Sequence, residues 1–217
     1  VEYWEIRTPG TLHAQPATEG NRVHSFSLVA GPEQNVRENS ISAMGTVVTH
    51  GVSEFTDPPT LPHPCFYLRS TPLAEPHPRM ALWATQVVPA LMAARARGEL
   101  PNVADLVALA SAVADKVQYR KGSTGVETTA LEAFDWELGV CQDQAHVMVA
   151  VCRSIGLPAR YVSGYFYAAN EPDLASHAWA DVCLDPAARR WISLDVTHRC
   201  PTDKRHIRLA AATDYTA

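Results

Sequence analysis

The chain has 217 residues, of which 47% are hydrophobic and 19% charged, and its net charge is −5. This apolar content supports a sizeable core, which excludes intrinsic disorder as the main character of the chain. The longest apolar runs fall far short of the ~20 residues that a membrane-spanning helix needs. No basic cluster offers the positive patch that nucleic acid or an anionic membrane surface requires. We therefore expect neither nucleic acid nor a membrane as a partner.

The cysteines lie at positions 65, 141, 152, 183 and 200. Five cysteines cannot all pair within one chain, none are spaced as CxxC, and a chain of this size needs no disulfide bonds to fold. This usage is typical of reduced thiols in a cytosolic type of environment. No secretory leader opens the sequence. We therefore expect a cytoplasmic protein.

The first part of the chain has the pattern of a small antiparallel β domain over residues 1–56. Its short alternating segments are separated by Gly, Asn and Pro, and the predicted strands are Val1–Arg7, Val23–Val29 and Ser42–Thr49. Seven of the sixteen prolines follow within residues 57–78. Because proline fixes φ and disfavours helix in the residue before it, this stretch is predicted to be an extended linker.

Residues 79–217 form a second predicted domain, in which helices precede strands. The predicted helices are Leu82–Arg97, interrupted or kinked at Pro89, Val103–Val117 after the cap Asn102, a short helix opened by a capping box at Thr129, and a buried helix over Cys141–Ser154. The predicted strands are Ala159–Ala168, His177–Leu184 and Trp191–Val196, the last two joined as a hairpin through Asp185–Arg190. The fold class is α+β, with helices packed on an antiparallel sheet.

Cys141 is a candidate nucleophile because Leu138-Gly139-Val140 places it on the first turn of a helix. Free backbone N–H groups and the positive end of the helix dipole favour an anion there, and a nucleophilic cysteine reacts as its thiolate. The negative charge of Asp143 partly opposes an anion at this position. A buried structural cysteine is the alternative.

The hairpin supplies the partners that a nucleophilic thiol needs. His177 and Asp195 are 18 residues apart, an even separation. With the hairpin centred on 186 they oppose each other, and with the centre on 187 they are diagonal neighbours on one face. Either register lets the carboxylate orient the imidazole, which is the logic of a catalytic triad. An odd register would put them on opposite faces.

Four blocks in this order resemble the transglutaminase-like superfamily, and most closely its bacterial branch of cysteine proteases. They are Gly139-Val-Cys-Gln-Asp-Gln-Ala145, Cys152-Arg-Ser-Ile-Gly-Leu-Pro-Ala-Arg-Tyr-Val-Ser-Gly-Tyr165, Ser176-His-Ala-Trp179 and Trp191-Ile-Ser-Leu-Asp-Val-Thr197. The resemblance implies a papain-like core preceded by a β-rich N-terminal domain. It also implies that Cys141 is the nucleophile, His177 the general base and acid, and Asp195 the orienting acid. Asp195-Val-Thr replaces the more usual Asp-Pro-Thr without removing a catalytic atom.

Other side chains are weaker candidates. Gln142 or the Cys141 amide could stabilise an oxyanion, and Trp179 and Trp191 either pack beside the site or form a substrate wall. His146 is expected to pack or face solvent, since it lies about 140° round the helix from Cys141. No zinc-binding spacing is present among four further candidate ligands, which are His198, Cys200, His206 and Cys183. We therefore expect no metal and no cofactor.

These residues predict a cysteine-dependent hydrolase that cleaves an amide or peptide bond through a thioester. The expected partner is a peptide, a protein or another amide substrate. One alternative is a transglutaminase that resolves the thioester with an amine. We favour hydrolysis because the sequence contains no calcium loop and no acidic tunnel for an amine. A second alternative is a binding module that keeps the fold without catalysis.

Overall fold

The computed structural model describes residues 1–15, 19–27, 40–168 and 175–216. The N-terminal region contains two short antiparallel pairs, β1 (Tyr3–Arg7) with β4 (Ser42–Thr46) and β2 (Leu12–Gln15) with β3 (Val23–Phe26). Strands β1, β3 and β4 fall within the segments predicted at 1–7, 23–29 and 42–49, whereas β2 was not predicted. Positions 28 and 29 lie outside the described residues. The β-rich character expected of this region is present in the structure.

Five helices follow in the described part of the chain: α1 (Pro78–Val87), α2 (Pro89–Ala96), α3 (Val103–Lys116), α4 (Ala130–Trp136) and α5 (Cys141–Ser154). The predicted helix over 82–97 is two helices that separate at Val88, because Pro89 cannot continue the first one. The first helix also begins four residues earlier than predicted. Pro78 occupies its first turn, where a missing N–H costs nothing, and the His77 side chain caps it.

The capping signals in the sequence correspond to real helix starts. Asn102 accepts a hydrogen bond from the Asp105 amide at the start of α3. Thr129 and Glu132 form the predicted capping box at the start of α4. No helix in the described ranges is long and apolar enough to cross a membrane.

The main sheet contains β5 (Glu54–Thr56), β8 (Ala159–Phe166), β9 (Ala175–Asp185), β10 (Arg190–Asp195), β11 (Cys200–Pro201) and β12 (His206–Ala212). Its order is β11-β10-β9-β8-β12, with β5 also paired to β10, and every pairing is antiparallel. A separate parallel pair, β6 (Gln118–Tyr119) with β7 (Leu138–Gly139), was not predicted and leads directly into α5. The α+β class is confirmed.

Helix α5 packs across one face of this sheet and forms the centre of the core. Its residues from Asp143 to Arg153 are all buried, as its all-round apolar pattern predicted. On β9 and β10 the even-numbered side chains face it: Ala180, Val182, Ile192 and Leu194. Alternation along a strand sends the odd-numbered side chains to the opposite face. His177 and Asp195 therefore lie on the sheet face away from the body of α5.

The segment predicted as a linker is packed on the core. Strand β5 pairs with β10 from Arg190↔Thr56 to Ile192↔Glu54, and a 3₁₀ turn at Pro64–Leu68 buries Tyr67 against Trp191. Apart from Pro78, which begins α1, residues 57–78 form no strand and no α-helix, but side chains of this segment are buried. The main sheet thus takes a strand from the predicted N-terminal domain, and the division into domains stays a prediction.

One buried arginine ties this segment to the core. The guanidinium of Arg153, at the C-terminal end of α5, donates to the backbone oxygens of Tyr67, Ala74, Ala159 and Thr213 and to the Thr71 hydroxyl. Five acceptors match the five N–H groups of a guanidinium, so the buried charge is fully hydrogen-bonded. The proline-rich segment, β8 and the C-terminal residues all depend on this side chain for their buried carbonyls.

The face of the sheet away from α5 also carries buried charge. Arg160 donates to both carboxylate oxygens of Asp57, at 2.7 and 3.1 Å, and to Asp181 at 2.8 Å. Arg208 and the Ser193 hydroxyl complete the partners of Asp181. Burial raises the pKa of Asp181, but the two arginines outweigh it and hold that pKa below its usual range. The network joins the residue after β5 to four strands of the sheet.

Replacing Gly164 with alanine is expected to destabilise the sheet, because a Cβ there would lie 2.2 Å from the Ile207 carbonyl oxygen and 2.5 Å from the Trp179 ring. Overpacking typically costs about 1–3 kcal/mol, and a clash with backbone belongs at the upper end. Urea unfolding measures the change. Gly125→Ala is the matched control, because its Cβ meets nothing within 4 Å. Equal stability of the two variants would contradict this account of the β8–β9–β12 contact.

Candidate active site

The start of α5 is shaped by a glycine and an aspartate. A Cβ on Gly139 would lie 2.6 Å from the Asp143 Cβ, so only glycine lets the chain pass beneath that side chain. Asp143 accepts hydrogen bonds from the Val140 amide at 2.7 Å and from the Thr124 hydroxyl at 2.6 Å. The carboxylate is thereby directed back over the helix entrance. Cys141 then begins the helix with a half-buried thiol.

The hairpin has the register in which His177 and Asp195 are diagonal neighbours. Leu194 opposes Ala180 and Ile192 opposes Val182, which centres the hairpin on residue 187. The separation of 18 residues then leaves His177 and Asp195 on one face, two residue pairs apart along the hairpin. His177 Nε2 lies 2.7 Å from Asp195 Oδ2. This is one of the two registers that the sequence left open.

The remaining nitrogen of the His177 ring is left for Cys141. Cys141 interacts with the His177 side chain and raises its pKa, and since Nε2 is engaged with Asp195, Nδ1 is the nitrogen that remains for the thiol. Burial lowers the pKa of His177, but the hydrogen bonds to Asp195 and Cys141 outweigh it and raise the pKa to about 9. An imidazolium here donates one N–H to the carboxylate and the other to sulfur. The ring is thereby placed to exchange a proton with the Cys141 thiol.

Asp195 has no exposed surface, and its carboxylate is the acceptor at which three imidazoles meet. Oδ2 lies 2.7 Å from His177 Nε2, 2.6 Å from His198 Nδ1 and 2.8 Å from His206 Nε2. Oδ1 accepts the His198 backbone N–H at 3.1 Å. Burial raises the pKa of Asp195, but these hydrogen bonds outweigh it and hold the pKa far below its usual range. Asp195 is therefore an anion throughout the working pH range.

Phe166 covers this cluster from β8. Its ring stacks on His198 with centroids 4.3 Å apart and lies 5.5 Å from the ring of His177 and 5.0 Å from that of His206. An apolar ring in this position excludes water from the Asp195 hydrogen bonds and strengthens them. His198, exposed over about a third of its side chain, is the solvent-facing member.

The four side chains could be considered as metal ligands, since their ligand atoms lie within 4.8 Å of one another. The hydrogen bonds speak for a different state. His206 Nδ1 accepts the Asp203 N–H at 3.0 Å in the tautomer that carries its hydrogen on Nε2, and Nε2 then donates to Asp195. A nitrogen that carries hydrogen has no lone pair for a metal. Tetrahedral zinc would also need ligand atoms roughly 3.4 Å apart, from bonds of about 2.1 Å, which is wider than these N···O contacts.

Of the two tryptophans predicted beside the site, Trp179 lies there and Trp191 does not. The Trp179 ring lies beside that of His177, with centroids 6.1 Å apart, but the side chain is only 2% exposed. Trp191 was wrongly expected near the site, because its position on β10 turns it under β5 and Tyr67, where it is fully buried. Neither indole offers an open wall to a substrate.

Gln142 lies on the first turn of α5, next to Cys141, but its side chain is committed elsewhere. Its amide donates to the Val126 carbonyl at 3.1 Å. The backbone N–H groups at the start of α5 are thus the better candidates for holding an oxyanion. His146 is buried and packs on the Tyr161 ring, 4.7 Å between centroids, which agrees with the packing role expected for it.

Sequence reasoning missed the part that His198 and His206 play around Asp195. Both were weighed only as metal ligands, together with Cys200 and Cys183. The structure brings the two histidines to Asp195 and leaves Cys183 in the separate cluster with Tyr67 and Trp191. A histidine three residues after the predicted triad acid was the available signal for His198. The sequence contains no such signal for His206, because this residue reaches Asp195 only through the pairing of β12 with β8.

Residues 90–196, which contain Cys141, His177 and Asp195, match the model of the transglutaminase-like superfamily. This match confirms the resemblance that the motifs of this region predicted. Among curated proteins, an uncharacterized protein of Mycobacterium tuberculosis is 37% identical over 124 residues, which cover 53% of this chain and 40% of that protein. One of Mycobacterium leprae is 34% identical over 117 residues, 51% of this chain and 40% of its own length. The chain therefore spans well under half of these relatives.

A solved structure is similar over nearly the whole chain. The crystal structure of a proposed cysteine protease from Cytophaga hutchinsonii has a TM-score of 0.61 at 20% identity and covers 99% of this chain and 71% of its own. At this level of identity the likeness concerns the fold. The chemistry has to be argued from the side chains themselves.

The raised pKa of His177 predicts that folding stability falls at alkaline pH. A group whose pKa rises from 6.5 to about 9 on folding contributes its full stabilisation below pH 6.5 and loses it as pH rises through 9. The wild type should therefore lose a few kcal/mol between these limits, and His177→Gln should not show this loss. Thermal unfolding from pH 6 to 10 measures it. His13→Gln, at an exposed position on β2, is the control, and an identical pH dependence of both variants would contradict the assignment.

Proposed function

We propose that this chain is a cysteine-dependent hydrolase of amide or peptide bonds that works through a thioester on Cys141. The observation that carries the proposal is the continuous contact from Cys141 through His177 to Asp195, between the start of α5 and one hairpin. A helix start, an imidazole and a buried carboxylate in this order are the parts that nucleophilic thiol catalysis requires. The match to the transglutaminase-like superfamily supports the same chemistry.

In the first half of the reaction the Cys141 thiolate attacks the substrate carbonyl carbon and forms a C–S bond. The carbonyl π electrons move onto oxygen, where the free amides at the start of α5 stabilise the oxyanion. The oxyanion then collapses, the C–N bond breaks, and the leaving nitrogen takes the proton from His177 Nδ1. The amine departs, leaving the thioester and a neutral His177.

In the second half neutral His177 accepts a proton from water, and the hydroxide so formed adds to the thioester carbonyl. Collapse of this second tetrahedral species breaks the C–S bond and releases the acid. The thiolate and the imidazolium are thereby regenerated. Asp195 takes no proton in the cycle, because its strongly lowered pKa keeps it ionised, and it fixes the tautomer and direction of the ring.

The surroundings favour water over an amine as the second nucleophile. A transferase must hold an amine and exclude water, commonly beside aromatic walls. Trp179 and Trp191 are both buried. Of the two acids in the catalytic half that could hold an ammonium group, Asp181 is neutralised by Arg160 and Arg208, and Asp173 lies outside the described residues.

Selective alkylation tests the nucleophile. Iodoacetamide should modify Cys141 at least roughly tenfold faster than Cys65 at pH 7, although Cys65 is the more exposed, because only Cys141 has an imidazolium partner. Cys152 should be slowest, since burial raises its pKa to about 12. Peptide mapping of timed samples gives the separate rates.

His177→Gln provides the matched control for that measurement. Loss of the imidazolium should slow Cys141 to the rate of Cys65 or below, while the rate of Cys65 stays unchanged. If Cys141 reacts no faster than Cys65 in the wild type, the assignment of Cys141 as the nucleophile is wrong.

The products distinguish a hydrolase from a transferase. The wild type is incubated with a panel of N-acetylated, glutamine-containing peptides and a millimolar lysine analogue. The products are then identified by mass spectrometry. We expect the free acid to predominate, because the described surroundings hold no open site for the ammonium group. Cys141→Ala should give neither product. Predominance of the amine adduct would replace hydrolysis with transglutamination, and a wild type without either product would favour a binding module that keeps only the fold.

A further inference from the structure

The proposed cycle uses one of the three imidazoles that meet Asp195, and the other two have no part in it. His206 is the more constrained of these. Its side chain is 2% exposed and lies at the first position of β12, opposite Phe166 on β8. The ring is edge-on to Phe166, with centroids 5.0 Å apart, and to Trp179 at 5.4 Å. A ring packed on two sides in this way has little freedom to turn.

The hydrogen bonds of His206 define its tautomer. The Asp203 N–H lies 3.0 Å from Nδ1, and the tautomer that accepts this hydrogen bond has its ring hydrogen on Nε2. The carbonyl oxygen and Oδ1 of Asp203 both lie 3.3 Å from the same nitrogen. Nε2 lies 2.8 Å from Asp195 Oδ2, the same oxygen that His177 contacts. The backbone before β12 thus directs an N–H donor at the triad carboxylate.

We propose that His206 is a positioning residue of the reaction, which holds the Asp195 carboxylate in line with His177 and shares its negative charge. The inference rests on the proposed function, since it assigns Asp195 the role of orienting His177. When several donors share one carboxylate oxygen, each of them reduces the negative charge on that oxygen. The oxygen then attracts the other donors less strongly. With His206 in place, His177 is held less tightly as the imidazolium and gives its proton to the leaving amine more readily.

His198 differs from His206 in two respects. It follows Asp195 by three residues in the same turn, so its contact is a local one, and its side chain faces solvent. Its backbone N–H binds Asp195 Oδ1 whatever the side chain is. Of these two histidines, His206 is the one whose buried side chain reaches Asp195 from another strand.

Substitution at position 206 leaves the other charged groups around the cluster in place. These are Cys141 from α5, Cys200 from β11, and Asp203, Lys204 and Arg205 from the segment before β12. A change in the titration of His177 can therefore be attributed to the lost donor.

The test compares His206→Phe, which fills the space without a donor, with His206→Gln, which keeps an N–H at similar reach. Nitrogen-15 NMR of histidine-labelled protein follows the titration of the His177 ring. In the Phe variant the pKa of His177 should rise by about one unit above the wild-type value, the effect of removing one charge-assisted hydrogen bond from Asp195. The Gln variant should titrate close to the wild type.

Turnover gives the second measurement, on whichever N-acetylated peptide the wild type cleaves. In His206→Phe we expect kcat to fall roughly tenfold with KM nearly unchanged, the scale found for groups that orient a functional ligand. His206→Gln should recover most of the loss. Thermal unfolding identifies any variant that fails to fold, and His206→Asn, smaller and too short to reach Asp195, then replaces the Phe variant.

The NMR result separates the inference from the function on which it rests. An unchanged titration of His177 in the Phe or Asn variant, or an equal shift in the Gln variant, would overturn the role of His206. A wild type that cleaves no peptide would overturn the hydrolase, while the titrations would still decide whether His206 tunes His177.

Discussion

A single buried carboxylate sets the requirements that the rest of the site meets. Asp195 has no exposed surface, so its charge has to be stabilised by hydrogen bonds from the protein. Three imidazoles and one backbone amide supply them, and they come from β9, β12 and the turn that follows β10. Removing a donor from a buried anion costs more than the donor's hydrogen bond is worth. The positions of these elements are thereby coupled through one side chain.

The two faces of the main sheet differ in what they carry. One face is apolar and packs against α5, and the other carries buried charges that occur in compensated sets. Arg160 with Asp57 and Asp181 is one such set, and the cluster around Asp195 is another. Because the side chains of a strand alternate, a strand can serve both faces at once. His177 is on the charged face, yet near enough to the end of β9 to reach Cys141.

Reactivity follows from placing the nucleophile and its base on different elements. Cys141 depends on a helix start, which Gly139 and Asp143 shape, and His177 depends on a hairpin register. Neither element by itself makes the thiol reactive. Their meeting is secured far from the site by Arg153, which binds the proline-rich segment and the C-terminal residues to the far end of α5. The rigid scaffold and the reactive contact are thus properties of one packed unit.

Local signals in the sequence determined much of this arrangement. The caps at Asn102 and Thr129 specified two helix starts, because side-chain oxygens satisfy amides that are free at every helix start. The all-round apolar pattern specified the burial of α5. The even spacing of His177 and Asp195 left two workable registers, since an even separation puts both on one face. These features depend on residues within a few turns of one another, which a pattern along the chain records.

Tertiary structure alone decided the rest. The hairpin centre at 187 depends on an irregularity in pairing at Arg190 and Trp191, which the spacing of residues does not encode. Proline content described the backbone of 57–78 but not its burial, because burial comes from Arg153 and from the pairing of β5 with β10. His206 reaches Asp195 only because β12 returns to pair with β8. A contact between distant strands is set by the packing of the whole sheet, so no short stretch of sequence contains it.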